Sequence, residues 1–584
     1  MADQPALLNV DSSLTDRRWQ GPDATRLRAA EALTQAHDLP QAVALILARQ
    51  GVTPETTQSY LAPALRDLLP DPRSLRDMEK AAKITLDAVA RNQRIAIFAD
   101  YDVDGGASAA LLITWLRALG REATLYIPDR IDEGYGPNAP AMAQLAKDHD
   151  LIICVDCGTL SHDPIAAASA ATTIVLDHHL GAETLPPAAA IVNPNRQDET
   201  GELAHLCAAA VVFLMLVEAG RQLREAGQRG PDLMALLDLV ALATVADVAP
   251  LIGVNRAFVR QGLKVIARRD RPGLRALADT ARLDSAPESY HLGYVLGPRI
   301  NAGGRIGAAD LGARLLATQD PNEAAALAER LERLNEDRRT VEAAVREAAI
   351  TQALARDDTA TLSWAAGDGW HPGVVGIVAS RLKETTDRPS IVIGFDGDAG
   401  KGSGRSVPGV DLGASIQRLA AEGLIEKGGG HKMAAGLSLS RAQLEPAMAR
   451  LDELLARQTG GRIGPRALRC DGLLMAGAAQ TDLIERLEEA GPYGASAPAP
   501  RFAIPDLTVR FAKPVGDGHL KVTFAAAGGT TLDAICFSAF ESALGPRLAD
   551  GAGTRVHAAG RLELNRWRGR STVQLKLEDA AEAT

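Results

Sequence analysis

The sequence predicts an α/β protein of several domains: a parallel-sheet domain, a second smaller α/β domain joined to it by a long helix, and a C-terminal all-β barrel. Three observations predict this architecture. Apolar strands alternate with Ala-rich helices from about residue 76, a long charged helical segment begins near residue 320, and short strands separated by Gly turns end the chain. At roughly 150 residues per domain, 584 residues suggest about three or four domains.

The composition is that of a globular protein, with 46% hydrophobic and 23% charged residues. The net charge of −10 carries no overall nucleic-acid signature, so binding to nucleic acid would require a local basic channel. The N-terminus shows no basic start followed by an apolar run, and the longest apolar run, Leu206 to Val217, is too short to span a bilayer. We expect no signal peptide, no membrane association and a buried helix at that run.

The five cysteines are few and odd in number, which is typical of reduced thiols in a cytoplasmic protein. Cys154 and Cys157 form a CxxC pair, but no second pair follows at the spacing of a zinc site. Because the pair ends the apolar run LIICVDCG, we interpret both as buried strand cysteines.

The elements follow in order along the chain. Residues 1–75 read as a helical N-terminal region, closed by the Pro-rich LLPDPRSL. Residues 76–318 contain the strands RIAIFAD, ATLYIPD, DLIICVD and TTIVLDH with helices between them. Residues 319–356 predict one long helix, with Asp320 as its N-cap, Pro321 at its first position and Glu323 completing a capping box. Residues 357–457 predict the second α/β unit, with Gly-rich segments that include the loop GKGSGRSVPG.

The last segment, residues 466–584, is rich in short strands with Gly turns between them. These strands are LTVRFAK, HLKVTFAAA, TLDAICF, RVHAAGRLEL and STVQLKLED. Such a series is typical of a small closed barrel such as an OB fold.

The first acidic motif, ADYDVDGG, places Asp100, Asp102 and Asp104 at the end of the strand RIAIFAD. An EF-hand loop is excluded because its twelfth position would be Leu111 and because a strand, not a helix, precedes it. The carboxyl end of a parallel strand is where α/β enzymes place their active sites. Clustered like charges usually persist because a cation neutralises them, so a metal site is favoured over a solvated acidic turn.

Further acidic and imidazole side chains end three other apolar segments. Asp156 follows DLIICV, Asp177, His178 and His179 follow TTIVL, and Asp247 ends ALATVAD. Alone, Asp247 would be interpreted as a charge at a helix end. Together these residues predict ligands for hard divalent ions or Mn²⁺.

In order and spacing, the motifs DYDVDG, VDCG, DHH and TVADVAPL resemble the four motifs of the DHH phosphoesterases. Five further segments resemble the members of that superfamily that degrade single-stranded DNA: IPDRIDEGYG, PRINAGGR, HPGVVGIVASRL, SGRS and GGGHKMAAG. The resemblance covers about residues 75 to 580 and implies a DHH catalytic domain, a DHHA1-type second domain and an OB-like barrel.

The resemblance implies two divalent metal ions, Mn²⁺ or Mg²⁺, with Asp156 as the bridge. The implied ligands are Asp102, Asp104, Asp156, His178 and Asp247, with Asp100 as a further ligand or a supporting residue. Small family members carry a His where this chain has Phe98, so either Asp100 replaces it or the first ion is held more loosely. His179 is expected either to donate to the scissile phosphate or to support the site structurally.

Phosphate-binding residues are implied on the second α/β unit and beside it. Glycines allow backbone N–H groups to approach an anion, and Arg offers bidentate contacts, although plain Gly-rich turns are the alternative. The implied contacts to the 5′ end of the strand are Arg130, Arg305, Ser403, Arg405, Ser406 and His431.

The barrel offers aromatic and basic residues that could bind a strand. Trp567 in NRWRGR is the best candidate for base stacking, whereas Phe511, Phe524 and Phe537 could stack bases or fill the core. Lys513, Lys521, Arg566 and Arg568 could follow the DNA backbone. Although the chain is acidic overall, its positive charge for binding DNA would then be concentrated on the barrel.

The expected activity is 5′→3′ exonucleolytic hydrolysis of single-stranded DNA to 5′-mononucleotides, in DNA repair and recombination. The resemblance implies single-stranded DNA, a single-stranded-DNA-binding protein and a repair helicase as partners, and a monomer. Two alternatives remain: a DHH phosphoesterase acting on oligonucleotides or nucleoside bisphosphates, and a catalytically inactive DNA-binding scaffold. The intact carboxylates disfavour the scaffold, and the added barrel disfavours a small substrate.

Overall fold

The N-terminal region is mainly helical and contains one short strand. The computed structural model describes residues 5–129, 133–134, 136–356, 360–459, 467–567 and 570–583. Asp23 caps the first helix by accepting the N–H of Arg26 at 2.8 Å. The elements are β1 (Arg18–Gln20), α1 (Ala24–His37), α2 (Gln41–Arg49), α3 (Thr57–Leu61) and α4 (Leu65–Leu68).

The next domain is built on a five-stranded, all-parallel sheet. Its strands are β2 (Ile95–Ala99), β3 (Ala123–Tyr126), β4 (Leu151–Val155), β5 (Thr172–Leu176) and β6 (Ala190–Val192). Their spatial order is β3-β2-β4-β5-β6. The central strands β2 and β4 are buried on both faces, which explains their continuous apolar sequence.

Helices cover both faces of this sheet, and the buried helix predicted at Leu206 to Val217 is confirmed from Ala208 onward, where α9 begins. The helices are α5 (Met78–Ala90), α6 (Val103–Ala118), α7 (Ala139–Asp148), α8 (His162–Ala167), α9 (Ala208–Glu225), α10 (Leu237–Ala246), α11 (Gly253–Ala267), α12 (Pro272–Thr280), α13 (Ser289–His291), α14 (Gly297–Ile306) and α15 (Leu311–Ala317). A π-helical turn, Leu292–Leu296, joins α13 to α14. All five cysteines are free thiols, as predicted, and all are buried. Cys154 lies in β4 as predicted, whereas Cys157 lies two residues beyond the end of that strand, so its assignment to a strand is wrong.

A long helix, α16 (Pro321–Leu354), connects this domain to the next one. Asp320 caps it through the N–H of Asn322, but the predicted capping box is wrong. Glu323 instead accepts hydrogen bonds from the Thr318 hydroxyl at 2.6 Å and from Arg314. Leu327 and Leu331 pack into the core of the first domain, whereas Val345 and Ala349 in the second half of the helix pack against the second domain. In the described residues, no helix combines the length and apolarity that crossing a membrane requires.

The second α/β domain has a mixed sheet of order β10-β11-β9-β8-β7, in which only β7 and β8 pair in parallel. Its elements are β7 (Ser363–Asp368), α17 (Pro372–Thr386), β8 (Ser390–Asp396), β9 (Ala399–Arg405), α18 (Leu412–Ala421), β10 (Lys427–His431), β11 (Ala434–Ser440) and α19 (Leu444–Thr459).

The segment GKGSGRSVPG, predicted as a Gly-rich loop, is a strand as far as Arg405, so the prediction is wrong at β9. The three glycines before His431 also lie in a strand, β10. Gly400, Gly402 and Gly404 alternate along β9, and a Cβ at each would lie within about 3 Å of side chains of the sheet core. These positions therefore require glycine, because the sheet core leaves no room for a side chain. The intervening Lys401, Ser403 and Arg405 consequently share the opposite face.

The C-terminal unit contains the predicted OB-like barrel. Its elements are β12 (Ala467–Arg469), β13 (Gly472–Leu473), α20 (Thr481–Glu489), β14 (Phe502–Val515), β15 (His519–Ala525), β16 (Thr531–Cys536), α21 (Leu544–Ala549), β17 (Arg555–Trp567) and β18 (Arg570–Glu582). The order β14-β15-β16-β18-β17 closes through the pairing of β14 with β17. Phe524 lies in the core, whereas Phe511 and Phe537 are exposed.

The N-terminal helices and the barrel share one hydrophobic core, which the sequence did not indicate. Leu33, Ile46 and Leu47 pack with barrel residues, and β1 pairs in parallel with β12. This unit is attached to α11 through Arg256, whose buried guanidinium lies 3.7 Å from the centre of the Tyr60 ring. Arg256 also donates to the carbonyls of Ala490 at 3.0 Å and Gly491 at 2.8 Å.

Arg256→Met should lower the midpoint of thermal unfolding, because the carbonyls that Arg256 satisfies would stay buried without a donor. The cost expected for losing charged hydrogen bonds of this kind is about 3 kcal/mol. Lys264→Met, at an exposed position of the same helix, is the matched control and should leave the midpoint unchanged. An equally stable Arg256→Met protein would contradict a structural role of this contact.

Candidate active site

Three acidic residues line up at one edge of the parallel sheet. The hydrogen-bonding ladder continues one residue beyond each strand: Asp100 N–H donates to Val155 O at 3.4 Å, and Asp156 N–H donates to Leu176 O at 3.0 Å. Asp177 N–H donates to Val192 O in the same way at 3.0 Å. Because β2, β4 and β5 are neighbours, their carboxyl ends converge on one site.

The loop after β2 is held by side chains of its own and of α14. Asp102 caps α6 by accepting the N–H groups of Asp104 at 2.8 Å and Gly105 at 3.1 Å. A side chain at Gly105 would collide with the backbone of Asp100, so the motif requires glycine there. From α14, Asn301 accepts the N–H of Val103 at 3.0 Å.

Asp104 is fully buried, and its two carboxylate oxygens meet the start of α9. They accept the N–H groups of Ala208 at 2.7 Å and Ala209 at 2.8 Å. A helix N-terminus stabilises negative charge, so α9 orients this carboxylate and partly neutralises it.

Asp177 is turned inward. Its carboxylate accepts the N–H of Thr159 at 3.0 Å, the backbone N–H groups of His178 and His179, and a hydrogen bond from His179 Nδ1 at 2.8 Å. This pairing raises the pKa of His179 to about 9, although burial alone would lower it. Asp177 therefore orients the two histidines.

Two asparagines outside the predicted motifs also support the histidines. Asn193 Nδ2 donates to His179 O at 2.8 Å, and Asn195 Nδ2 donates to His178 O at 2.6 Å. They follow β6, the next strand of the sheet, in the segment IVNPNR. The signal that could have found them is the same one that found the aspartates, namely polar residues at the end of an apolar strand.

Three groups of ligand atoms, each within 4.8 Å of one another, form at this edge. The groups are Asp156, His178 and His179; Asp104, His178 and Asp247; and Asp100, Asp102 and Asp156. His178 Nε2 lies 3.2 Å from Asp156 Oδ1 and 3.7 Å from Asp104 Oδ2, and its Nδ1 lies 3.9 Å from Asp247 Oδ2. The structure thus brings together all six predicted ligands, and the groups share Asp156 and His178.

The electrostatics of these groups fit divalent cations. Burial, followed by the neighbouring carboxylates, raises the pKa of Asp156 well above its usual range and that of Asp247 to about 8. Burial also raises the pKa of the nearby Cys157 and Cys207 thiols, which disfavours thiolate ligation. Carboxylates with imidazole are donors that suit Mn²⁺ or Mg²⁺ better than a thiolate-bound zinc.

A cleft of about 520 Å³ lies where α14 meets the sheet of the second domain. Arg305 near the end of α14 lines it and donates to Gly373 O at 2.8 Å. Lys401, Ser403 and Lys427 line the opposite side. Lys401 was not predicted, although the alternation in KGSGR is the pattern of a strand with one polar face. Lys427, on β10, belongs to no motif that the sequence indicated.

Arg405 lies on the same face of β9. Its Nη1 donates to Ser403 Oγ at 3.1 Å and to Gly404 O at 2.8 Å. A Cβ at Gly376 in the first turns of α17 would come within 3.1 Å of Ser403 Oγ and 3.2 Å of an Arg405 guanidinium nitrogen. The N-terminal part of α17 therefore approaches both residues closely.

The remaining predicted phosphate and DNA contacts differ in their placement. Ser406 is buried and donates to Val410 O at 2.9 Å, so its hydroxyl stabilises the loop after β9. His431 ends β10 and is exposed. Arg130 and the side chain of Trp567 lie outside the described residues.

Three family models match the chain in succession. The DHH family, N-terminal domain, matches residues 94–244, the DHHA1 domain matches residues 357–457, and the RecJ OB domain matches residues 470–579. The first match contains five of the six ligand candidates, because Asp247 lies just beyond it.

Relatives and solved structures extend over nearly the whole chain. A single-stranded-DNA-specific exonuclease RecJ from Dickeya dadantii is 38% identical and aligns with 92% of this chain and 96% of its own length. The crystal structure of RecJ in complex with Mn²⁺ from Thermus thermophilus is 30% identical, with a TM-score of 0.80, and covers 97% of this chain and 79% of that one. The corresponding Mg²⁺ complex is 29% identical, with a TM-score of 0.74 and the same coverage.

Proposed function

The chain belongs to the RecJ family of single-stranded-DNA-specific exonucleases, and from this premise we propose that it degrades single-stranded DNA in the 5′→3′ direction to 5′-mononucleotides, in DNA repair and recombination. The observation that carries the proposal is the set of three ligand groups sharing Asp156 and His178 beside a basic cleft. The alternative of a small-substrate phosphoesterase leaves the barrel without a role, and the inactive scaffold leaves the intact ligand groups without one.

The ligand groups would hold two divalent ions, Mn²⁺ or Mg²⁺. The proposed ligands are Asp100, Asp102, Asp104, Asp156, His178 and Asp247. Asp156, which occurs in two of the groups and which the family resemblance implies as the bridge, would contact both ions. When bound, such a pair supplies an activated water and stabilises negative charge on the attacked phosphate. Asp100, which lies within 4.8 Å of both Asp102 and Asp156, takes the place of the histidine that Phe98 replaces.

The protein's own groups position the substrate around this centre. Asp177 and Asn193 hold His179 in one orientation, from which its ring can donate to an oxygen of the scissile phosphate. Asn195 holds the backbone of His178, a proposed ligand.

The basic cleft would bind the terminal 5′ phosphate. Arg305, Lys401, Ser403 and Lys427 supply cationic and hydroxyl donors on two sides of it, and Arg405 with the start of α17 extends the donor set. Arg130 and His431 remain predicted contacts. A strand held by its 5′ end on one side of the metal centre can be cut only near that end, which accounts for the polarity.

End-labelled single strands incubated with Mn²⁺, with Mg²⁺ and with excess chelator test the activity and its direction. We expect the 5′ label to appear first as a mononucleotide, and the chelator to abolish its release. Earlier release of the 3′ label, or hydrolysis in the chelator, would contradict the proposal.

Arg405→Ala should weaken engagement of the 5′ end, because a charge-assisted contact to phosphate is lost. We expect kcat/KM to fall about ten- to a hundredfold on a 5′-phosphorylated strand and less on a 5′-hydroxyl strand. The matched control is Arg418→Ala, because Arg418 is an exposed residue of α18 that pairs with Glu422. Equal losses on the two strands would mean that Arg405 contacts the DNA away from its 5′ end.

The finer predictions from the family resemblance stay predictions. They are binding to a single-stranded-DNA-binding protein and a repair helicase, a monomeric state and a cytoplasmic location. Size-exclusion chromatography of the purified chain, alone and with each partner, would test partner binding and the monomeric state.

A further inference from the structure

Helix α14 lies between the candidate metal centre and the basic cleft. Asn301 on this helix accepts the N–H of Val103 at 3.0 Å, and Arg305, four residues further on, lines the cleft. Residues four positions apart lie on the same side of a helix, about 6 Å apart along its axis. One turn of α14 therefore separates a contact with the metal-ligand loop from a contact with the cleft.

The hydrogen bond of Asn301 fixes the peptide between two ligand candidates. The side chain of Asp102 accepts the N–H groups of Asp104 and Gly105 at the start of α6. Because the first N–H groups of a helix have no partner within it, the N–H of Val103 requires an acceptor from elsewhere. Asn301 supplies that acceptor. Since Val103 stands directly between Asp102 and Asp104, Asn301 holds the backbone that carries both carboxylates.

The backbone of α14 also approaches the metal centre more closely than a side chain would allow. A Cβ at Gly304 would lie 2.9 Å from the carbonyl oxygen of Tyr101, in the loop after β2. At the start of the helix, a Cβ at Gly297 would lie 3.4 Å from the Cβ of Ala246, the residue before Asp247. Both ends of α14 thus contact residues that adjoin ligand candidates.

The end of α14 is attached to the second domain at the cleft. Arg305 Nη1 donates to Gly373 O at 2.8 Å, and a Cβ at Gly373 would come within 2.7 Å of Arg305 O. Gly373 lies in the first turn of α17, where the side chain of His371 accepts its N–H at 3.0 Å. Both Arg305 and Gly373 line the cleft. An anion in the cleft would therefore pair with the residue that anchors the end of α14.

The sequence of α14 gives it a low intrinsic tendency to be helical. Its ten residues, GPRINAGGRI, include three glycines, and glycine inside a helix is destabilising relative to alanine. The π-helical turn Leu292–Leu296, an irregularity often found at functional sites, directly precedes it. The helix is consequently ordered by its contacts more than by its own sequence. A ligand that fixes one end of such an element also increases order at the other end.

We propose that α14 couples the binding of a 5′ phosphate in the cleft to the binding of the metal ions, with Asn301 as the positioning residue. A phosphate paired with Arg305 orders α14, and Asn301 then holds Asp102 and Asp104 in the arrangement that binds the ions. By thermodynamic reciprocity, the ions tighten phosphate binding by the same factor. The coupling confines tight metal binding, and with it hydrolysis, to strands whose 5′ end occupies the cleft. The inference rests on the proposed exonuclease function and adds a regulation of the same site.

The affinity for Mn²⁺, measured with two uncleavable probes, tests the coupling without turnover. The probes are a trideoxynucleotide with methylphosphonate linkages that carries either a 5′ phosphate or a 5′ hydroxyl group. Calorimetric titration of wild-type protein saturated with each probe should show about tenfold tighter Mn²⁺ binding with the 5′ phosphate. In Asn301→Ala the ratio between the two probes should fall close to one. Asn322→Ala, at an exposed asparagine of α16, is the matched control and should keep the ratio.

Hydrogen exchange in excess chelator locates the coupling along the chain. In wild-type protein the 5′-phosphorylated probe should slow amide exchange both in α14 and in residues 101–106. In Asn301→Ala the slowing should remain in α14 and disappear from residues 101–106. This separation is specific to coupling, because a residue that only supports the loop would change exchange there with or without the probe.

Two results would overturn the coupling. One is equal Mn²⁺ affinity of wild-type protein with both probes, which decides the matter even if Asn301→Ala fails to fold. The other is a wild-type ratio in Asn301→Ala, the result expected if Asn301 were only a structural support or if the phosphate touched an ion directly. Failure of the proposed function is a separate result, since it appears as wild-type protein that releases no mononucleotide from long single strands with Mn²⁺.

Discussion

Asp156→Asn should abolish most strand hydrolysis and at the same time raise the melting temperature of the metal-free protein. We expect turnover to fall at least about a thousandfold, because residues that merely support a metal ligand already contribute ten- to a hundredfold. The gain in stability follows from electrostatics. Asp156 is buried among Asp100, Asp102, Asp104 and Asp247, so removing its charge removes repulsion and a desolvation cost.

Asparagine is the right replacement at this position because of the backbone. Asp156 has φ of +59°, in the left-handed region, which Asn tolerates better than Ala. Thermal melts with and without Mn²⁺ check the assignment independently of activity, because an ion that binds the folded state raises its stability. The ion should stabilise wild type and fail to stabilise Asp156→Asn. Asp163→Asn, at an exposed position on α8, is the matched control. A full Mn²⁺ shift in Asp156→Asn would exclude Asp156 as a ligand.

Asp177→Asn should have the opposite effect on the stability of the metal-free protein. The Asp177 carboxylate accepts three backbone N–H groups and the His179 ring, and an amide in its place would turn an NH₂ group toward donors. We expect a loss of about 3 kcal/mol in the free energy of unfolding. Turnover should fall about a hundredfold, as for supports of metal ligands, because both histidines lose their orientation.

The contrast between the two variants is the informative measurement. Thermal melts of the metal-free proteins should show Asp156→Asn above wild type and Asp177→Asn below it. With Mn²⁺, Asp177→Asn should keep part of the stabilisation that Asp156→Asn loses. Melting temperatures that move in the same direction would mean that Asp177 belongs to the ligand groups.

Much of the site could be predicted because its signals are local. A carboxylate after an apolar strand lies at the carboxyl edge of a parallel sheet, so the order of Asp100, Asp156 and His178 along the chain already predicts their proximity. The buried helix α9 and the burial of Cys154 and Cys157 followed from apolar runs in the same way. The role of each residue within the cluster could not be predicted from the sequence. Asp177 and Asp156 end adjacent strands in the same fashion, and only the direction of each carboxylate separates a support from a ligand candidate.

Where the prediction failed, the deciding contact was a packing constraint or a competing hydrogen bond that the sequence pattern does not show. The glycines of β9 read as a loop, but the neighbouring strands β8 and β11 leave no room for side chains on one face. Glu323 matches a capping box, yet Thr318 and Arg314 compete for its carboxylate. Ser406 matches a phosphate loop, yet its hydroxyl donates a hydrogen bond to Val410 O inside the protein.

By itself the sequence determined the order of the domains, the barrel and the set of side chains that meet at the sheet edge. Each of these follows from local patterns, namely the side-chain periods of strands and helices and the short connections between successive elements. Only the tertiary structure decided that the N-terminal helices complete the core of the barrel, so that cutting the chain near residue 466 would split one core. It also decided that Tyr290 and Lys576 meet across two domains. Such contacts join residues hundreds of positions apart, and no local periodicity encodes which exposed ring will face which cation.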